Sequence, residues 1–160
     1  MPETYSPAEQ DAVVTEVEIT APPERVFQAL IDEQQLMRWF TNTGCPVKFW
    51  KFEPRVGGRY HYATAKSPAV VVNGVNEFDC QGEILEFDPP RRLAYTWIGN
   101  WHVNKALKTV VCWELTPRGA GTHVKVTHSG LASDEAARND YRGGWPGVLA
   151  NLKNFAEKIS

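Results

Sequence analysis

SDEAARNDYRGGWPGVLANLKNFAEKI, residues 133–159, places apolar side chains at Tyr141, Trp145, Val148, Leu149, Leu152, Phe155, Ala156 and Ile159. Steps of three and four keep them on one face of a helix, and Asn151, Lys153, Asn154, Glu157 and Lys158 fall on the opposite face. Ser133 and Asp134 are suited to cap its N-terminus, and Glu135 complements the positive end of the helix dipole. Pro146, inside Gly143-Gly144-Trp145-Pro146-Gly147, removes a backbone hydrogen bond and predicts a kink or a fresh helix start. A helix this long with one apolar face needs a broad apolar partner.

The upstream chain is patterned to supply it. Residues 1–10 are polar and unpatterned, which predicts a flexible arm ahead of one domain over residues 11–160. Residues 13–20 alternate as a half-buried strand does. Ala21-Pro22-Pro23-Glu24 then stops the strand and starts a helix carrying Val26, Phe27, Leu30 and Ile31 on its apolar stripe. A second short helix over 33–40 presents Leu36, Met37, Trp39 and Phe40 after a tight turn near Asp32. From Cys45 to Ser129 strands take over: 47–52, 59–63, 77–87, 92–98, 109–115 and 122–129, with a loop and a short strand around 66–73. Prolines hinge the third and fourth strands at Asp88-Pro89-Pro90, and 116–121 is turn chemistry closing a hairpin. Short links favour an antiparallel sheet with the long helix across one face, an α+β architecture.

Composition narrows the function. A net charge of -2 and a pI near 6.1 argue against nucleic acid or an anionic membrane as partner. No apolar run reaches spanning length, and the N-terminus lacks the basic start and apolar run of a signal peptide. Cys45, Cys80 and Cys112 are odd in number and widely spaced, which reads as reduced structural thiols in the cytoplasm, with zinc ligation second. Six tryptophans in 160 residues point to large apolar surfaces to line.

Strand parity says where the rings go. Val111, Trp113 and Leu115 share a face, as do Val124, Val126 and His128, and Leu93, Tyr95 and Trp97. The concave face is therefore strongly aromatic.

The run Thr20-Ala21-Pro22-Pro23-Glu24-Arg25-Val26-Phe27-Gln28-Ala29-Leu30 resembles the first-helix motif of the START-like, or SRPBCC, superfamily. Trp39-Phe40, Val56-Gly57-Gly58-Arg59-Tyr60 and Gly82-Glu83-Ile84-Leu85-Glu86-Phe87-Asp88-Pro89-Pro90-Arg91-Arg92-Leu93 extend the match. Trp113-Glu114-Leu115, Thr127-His128-Ser129-Gly130 and Gly144-Trp145 complete it, in the order of the branch named for the activator of heat-shock protein 90 ATPase. The resemblance implies a helix-grip fold, in which a curved antiparallel sheet of six to seven strands wraps the C-terminal helix and leaves a deep cavity. It does not imply one function.

Within that frame the cavity candidates are Trp39 of the second helix, Trp50, Tyr60 and Tyr62 of the first two strands after it, and Tyr95 and Trp97 beyond the proline hinge. The hairpin adds Trp113 and His128, and the long helix Trp145, Leu149 and Leu152. The expected ligand is an apolar or aromatic small molecule, oriented by the tyrosine hydroxyls, indole N–H groups and His128. No cofactor or metal is expected, and a homodimer through an edge strand is compatible with the pattern.

Catalytic signatures are missing: no His-Glu-x-x-His, Walker loop, Rossmann glycine run or Gly-x-Ser-x-Gly elbow occurs. His128 and Ser129 point to opposite faces of a strand, so they cannot form a nucleophile–base pair. His128 with Glu77 or Asp79 is the one acid–base candidate, and Arg59, a candidate to steady an enolate, has outward parity. The alternatives to a binding protein are thus a cyclase- or hydrolase-like enzyme of the same fold and, from the family name, a chaperone ATPase activator.

Overall fold

The computed structural model describes residues 3–5, 12–40, 47–66, 71–72, 74–101, 107–132 and 134–158. The chain runs β1 (Glu3–Tyr5), β2 (Val13–Ile19), α1 (Pro23–Ile31), α2 (Glu33–Trp39), β3 (Val47–Phe52), β4 (Arg59–Thr64), β5 (Asp79–Asp88), β6 (Arg92–Gly99), β7 (Thr109–Arg118), β8 (Gly121–Ser129) and α3 (Glu135–Lys158). The strands form one antiparallel sheet in the order β1-β2-β8-β7-β6-β5-β4-β3. From β3 to β8 it is a meander. β2 instead crosses to pair with β8 over its whole length, from Val13 opposite His128 to Ile19 opposite Thr122. Helices α1 and α2 therefore carry the chain from one side of the sheet to the other edge. Asp32 makes the turn between them, ending α1 and accepting from Gln34 N at 2.9 Å at the start of α2.

Three details correct the sequence expectations. Glu3–Tyr5, within the expected arm, pairs with Glu16, Thr15 and Val14 of β2, making eight strands rather than six or seven. Without that cover, β2 would present a bare row of N–H and C=O groups. The β7–β8 hairpin closes at Gly119-Ala120, and Pro117 lies inside the ladder opposite Thr122, so the expected turn is mostly strand. Gly119 takes a φ of +60° that suits its lack of a Cβ. Finally, of the kink or fresh start expected at Pro146, the fresh start does not occur: α3 is one helix through the proline. Gly143, Gly144 and Gly147 have open space where side chains would be, and Trp145 and Leu149 hold the apolar face on either side of the proline.

Asp134 Oδ1 accepts from Ala137 N at 2.9 Å, the expected cap of α3; Ser133 and Ile159 lie outside the described residues. Tyr141, Trp145, Leu149, Leu152 and Ala156 of α3 are buried in a core with Val17, Ile19, Trp113, Leu115, Val124 and Val126 of the sheet. Burial of each large apolar side chain contributes ~1.5–3 kcal/mol. Near its C-terminus α3 is tied to β2: Lys153 Nζ donates to Glu18 O at 2.9 Å, and Glu157 Oε2 accepts from Thr20 N at 2.8 Å. At the other edge Glu33 of α2 accepts from Phe52 N of β3 at 2.8 Å, satisfying a backbone donor on an edge strand.

Candidate functional site

Period-2 alternation in β4, β6, β7 and β8 sends Tyr60, Tyr62, Tyr95, Trp97, Trp113 and His128 toward α3, and all are buried. Around Trp113 the indole N–H groups and the Thr109 hydroxyl each find an acceptor. Trp113 Nε1 donates to Tyr95 Oη at 2.9 Å. Thr109 Oγ1 donates to the Trp97 carbonyl at 2.7 Å and so turns a lone pair to His128 Nε2, also at 2.7 Å. Trp145 Nε1 donates to His128 Nδ1 at 3.1 Å. His128 therefore carries its proton on Nε2 and accepts on Nδ1, a neutral imidazole engaged on both sides. Asp79, the carboxylate expected beside it, bonds His61 Nε2 at 2.7 Å, and Glu77 is exposed. The acid–base pair of His128 with either residue is thus corrected: antiparallel register sets Asp79 beside His61, on the face away from Tyr60 and Tyr62.

Tyr60 completes this floor. Its hydroxyl donates to the Thr96 carbonyl and lies 3.6 Å from Cys80 Sγ. The ring fits because the opposite residue is Gly82, where a Cβ would stand 2.6 Å from Tyr60 Cε1 and 2.0 Å from Thr96 O. Burial pushes the Tyr60 and Tyr95 phenols and the Cys80 thiol well above their ordinary ranges, so all three stay protonated. None is a nucleophile at neutral pH. Cys112 is half-buried and raised by the same cause, and Cys45 lies outside the described residues.

Beside this floor the packing opens. A cavity of about 280 Å³, partly open to solvent, lies between α3 and the β4–β6 side of the sheet. Tyr62 of β4 and Trp97 of β6 form the sheet wall, and Tyr141, Trp145 and Val148 the helix wall. Phe40, at the end of α2, and Phe78 and Trp101, flanking the β5–β6 pair, close its sides. Val72 completes the apolar lining, and Asp140 and Gly144 are exposed on the helix side.

Of the sequence candidates, Tyr62, Trp97 and Trp145 line this cavity. Trp39, Trp50, Tyr60, Tyr95, Trp113, His128, Leu149 and Leu152 are buried in the core around it instead. Trp39 Nε1, for example, donates to Ala29 O at 2.8 Å and so fastens α2 to α1. Phe40, Phe78, Trp101 and Tyr141 were missed. Phe78 and Trp101 come together only through strand pairing: they sit at equal distances beyond the Cys80–Gly99 pair, and their rings meet edge to face at 5.7 Å. Tyr141 precedes Trp145 by one helical turn on the same face. Arg59 is exposed, in keeping with its outward parity.

Known proteins place this geometry in context. The family model described as "Activator of Hsp90 ATPase homolog 1-like protein" matches residues 20–157. A crystal structure of a Rhodobacter sphaeroides protein is similar with a TM-score of 0.81 at 18% identity, covering 99% of this chain and 100% of that one. Protein MLL2253 from Mesorhizobium loti is 28% identical with a TM-score of 0.70, covering 93% of this chain and 98% of that one. An AHSA1-like protein from Aeromonas hydrophila, solved by NMR, is 23% identical with a TM-score of 0.72 and 92% coverage of both chains. No curated protein matches this chain.

Proposed function

The chain belongs to the Activator of Hsp90 ATPase homolog 1-like protein family, with its START-like helix-grip fold, and from that premise we propose that it binds one small, flat, mainly apolar molecule between α3 and the sheet. The observation that carries this is the cavity itself: about 280 Å³ walled by Phe40, Tyr62, Phe78, Trp97, Trp101 and Trp145. Ligand pockets run ~300–1,000 Å³, so this one suits a compound of one or two rings rather than a long acyl chain. A binding role also fits the chemistry beneath it, where each titratable group is neutral and held by a neighbour. Among the described residues no helix is long and apolar enough to cross a membrane, and the free thiols Cys80 and Cys112 suit a reducing compartment such as the cytoplasm.

Native mass spectrometry of the purified protein, followed by denaturing extraction, tests the proposal. A reproducible extra mass lost on denaturation, or a thermal shift with one- and two-ring compounds, is the expected result. A clean apo mass together with no shift across such a panel would overturn it.

A further inference from the structure

In the middle of α3 the chain places three glycines within five residues, Gly143, Gly144 and Gly147, where alanine would make a more stable helix. Every other described glycine takes a positive φ or has a neighbour that a Cβ would strike, as Gly82 has under the Tyr60 ring. These three have neither: their φ is not positive, and nothing lies within 4 Å of where a Cβ would stand. Backbone conformation and packing within the chain therefore do not call for glycine here. Of the three, Gly144 alone belongs to the cavity wall. Asp140, Gly144 and Val148 are spaced four apart, so they form one row along the helix, and all three border the cavity. Gly144 is thus a notch, one side chain deep, in a row with larger residues at both ends.

A Cβ on a helix leans toward the N-terminus, so a side chain at position 144 would lie over the turn of Asp140 and Tyr141 and take up part of the open space. Bare backbone there lets an apolar ring come closer to the helix axis than any side chain would allow. On the sheet side, the Phe40 ring stands 5.6 Å from that of Tyr62 and 6.1 Å from that of Trp97, so these three bound one end of the cavity. Resting on the binding role proposed above, we infer that Gly144 sets the size of ligand the site admits, a fused two-ring compound. One ring lies among Phe40, Tyr62 and Trp97, and the other lies against the backbone of α3 in the notch between Asp140 and Val148. A single ring leaves the notch empty and forgoes the contacts it offers.

The probes phenol and 2-naphthol differ by one fused ring. Titrated into the full-length protein and followed by calorimetry, 2-naphthol is expected to bind about tenfold more tightly, since four more ring carbons leave water. Gly144→Leu fills the notch. Its affinity for 2-naphthol falls by about tenfold or more and the advantage over phenol disappears, although the variant melts no lower than the unmutated chain, because leucine is the better helix former. Gly143→Ala is the control. It replaces a glycine of the same stretch outside the cavity wall, raises the melting midpoint by about 2–4 °C and leaves both affinities as they were. In the unmutated protein, nuclear Overhauser contacts between bound 2-naphthol and the Gly144 Hα protons give a second readout that does not depend on any variant folding. Equal affinity for the two probes, undiminished binding of 2-naphthol by Gly144→Leu, or bound 2-naphthol without contact to Gly144 overturns the inference and leaves the binding role standing. Binding of neither probe overturns the inference, and the mass and thermal-shift measurements then decide the binding role on their own.

Discussion

The two sides of the sheet–helix interface are built from the same residue types and end differently. At the floor, the Trp113 and Trp145 indoles and the Thr109 hydroxyl each donate to an acceptor, and Trp113 and His128 are fully buried. Toward β4 and the start of α3, Tyr62, Trp97, Trp101 and Tyr141 surround open space. The difference shows that aromatic content alone does not make a cavity. What matters is how closely the helix and the sheet approach. Where their rings interlock they serve as core, and where they stand apart they border open space.

The contrast can be broken by substitution, beginning with the largest expected effect. Trp113→Ala removes a fully buried ring and orphans the Tyr95 hydroxyl, so a loss of ~3–5 kcal/mol in urea unfolding is expected. Trp145→Ala belongs near the same range, since its ring packs on Trp113 at 5.6 Å and its N–H holds His128. Trp97→Ala and Tyr62→Ala border space that is already empty and should cost about half as much, ~2 kcal/mol. Equal losses at Trp113 and Trp97 would mean that the wall is packed as tightly as the floor.

Conservative changes sharpen the contrast further. Trp145→Phe keeps most of the ring but leaves His128 Nδ1 without its donor, an expected loss of ~1–3 kcal/mol. Away from both regions, Asp134→Ala deletes the cap of α3 and should cost ~1 kcal/mol.

The smallest effect is expected at Glu157, whose carboxyl is held below its ordinary range by Lys153 and by the Thr20 amide. A lowered folded-state pKa stabilises the fold above the unfolded value, about 4.3, and that contribution fades as pH falls through the folded one. Glu157→Gln should therefore be slightly less stable than the unmutated chain at pH 7 and indistinguishable from it near pH 2, read from matched thermal melts.

Much of this was legible in the chain. Alternation in residues 109–115 and 122–129 assigns Trp113 and His128 to the inner face, and the three-and-four spacing from Tyr141 to Ala156 assigns the face of α3 that meets them. Asp134 was identifiable as a cap because capping is a contact over three residues. The site was less legible. Parity told that Tyr60, Tyr62, Tyr95 and Trp97 face the helix, but not how far the helix stands from each. Trp101 lies beyond the end of β6, outside the reach of a period-2 pattern, whereas Phe78 falls on the inward parity of the strand expected over 77–87.

The sequence by itself determined the helices and the strands from β2 to β8, their inward faces and the family, because these rest on short-range periodicity and on motifs read in order. Tertiary structure alone decided that β2 lies against β8, that Glu3–Tyr5 covers the edge of β2, and that Asp79 serves His61 rather than His128. It also decided which rings touch and which leave space. Those outcomes depend on contacts between residues far apart in the chain, often more than a hundred positions for β2 and β8, and no local pattern encodes the distance between two surfaces that meet only on folding.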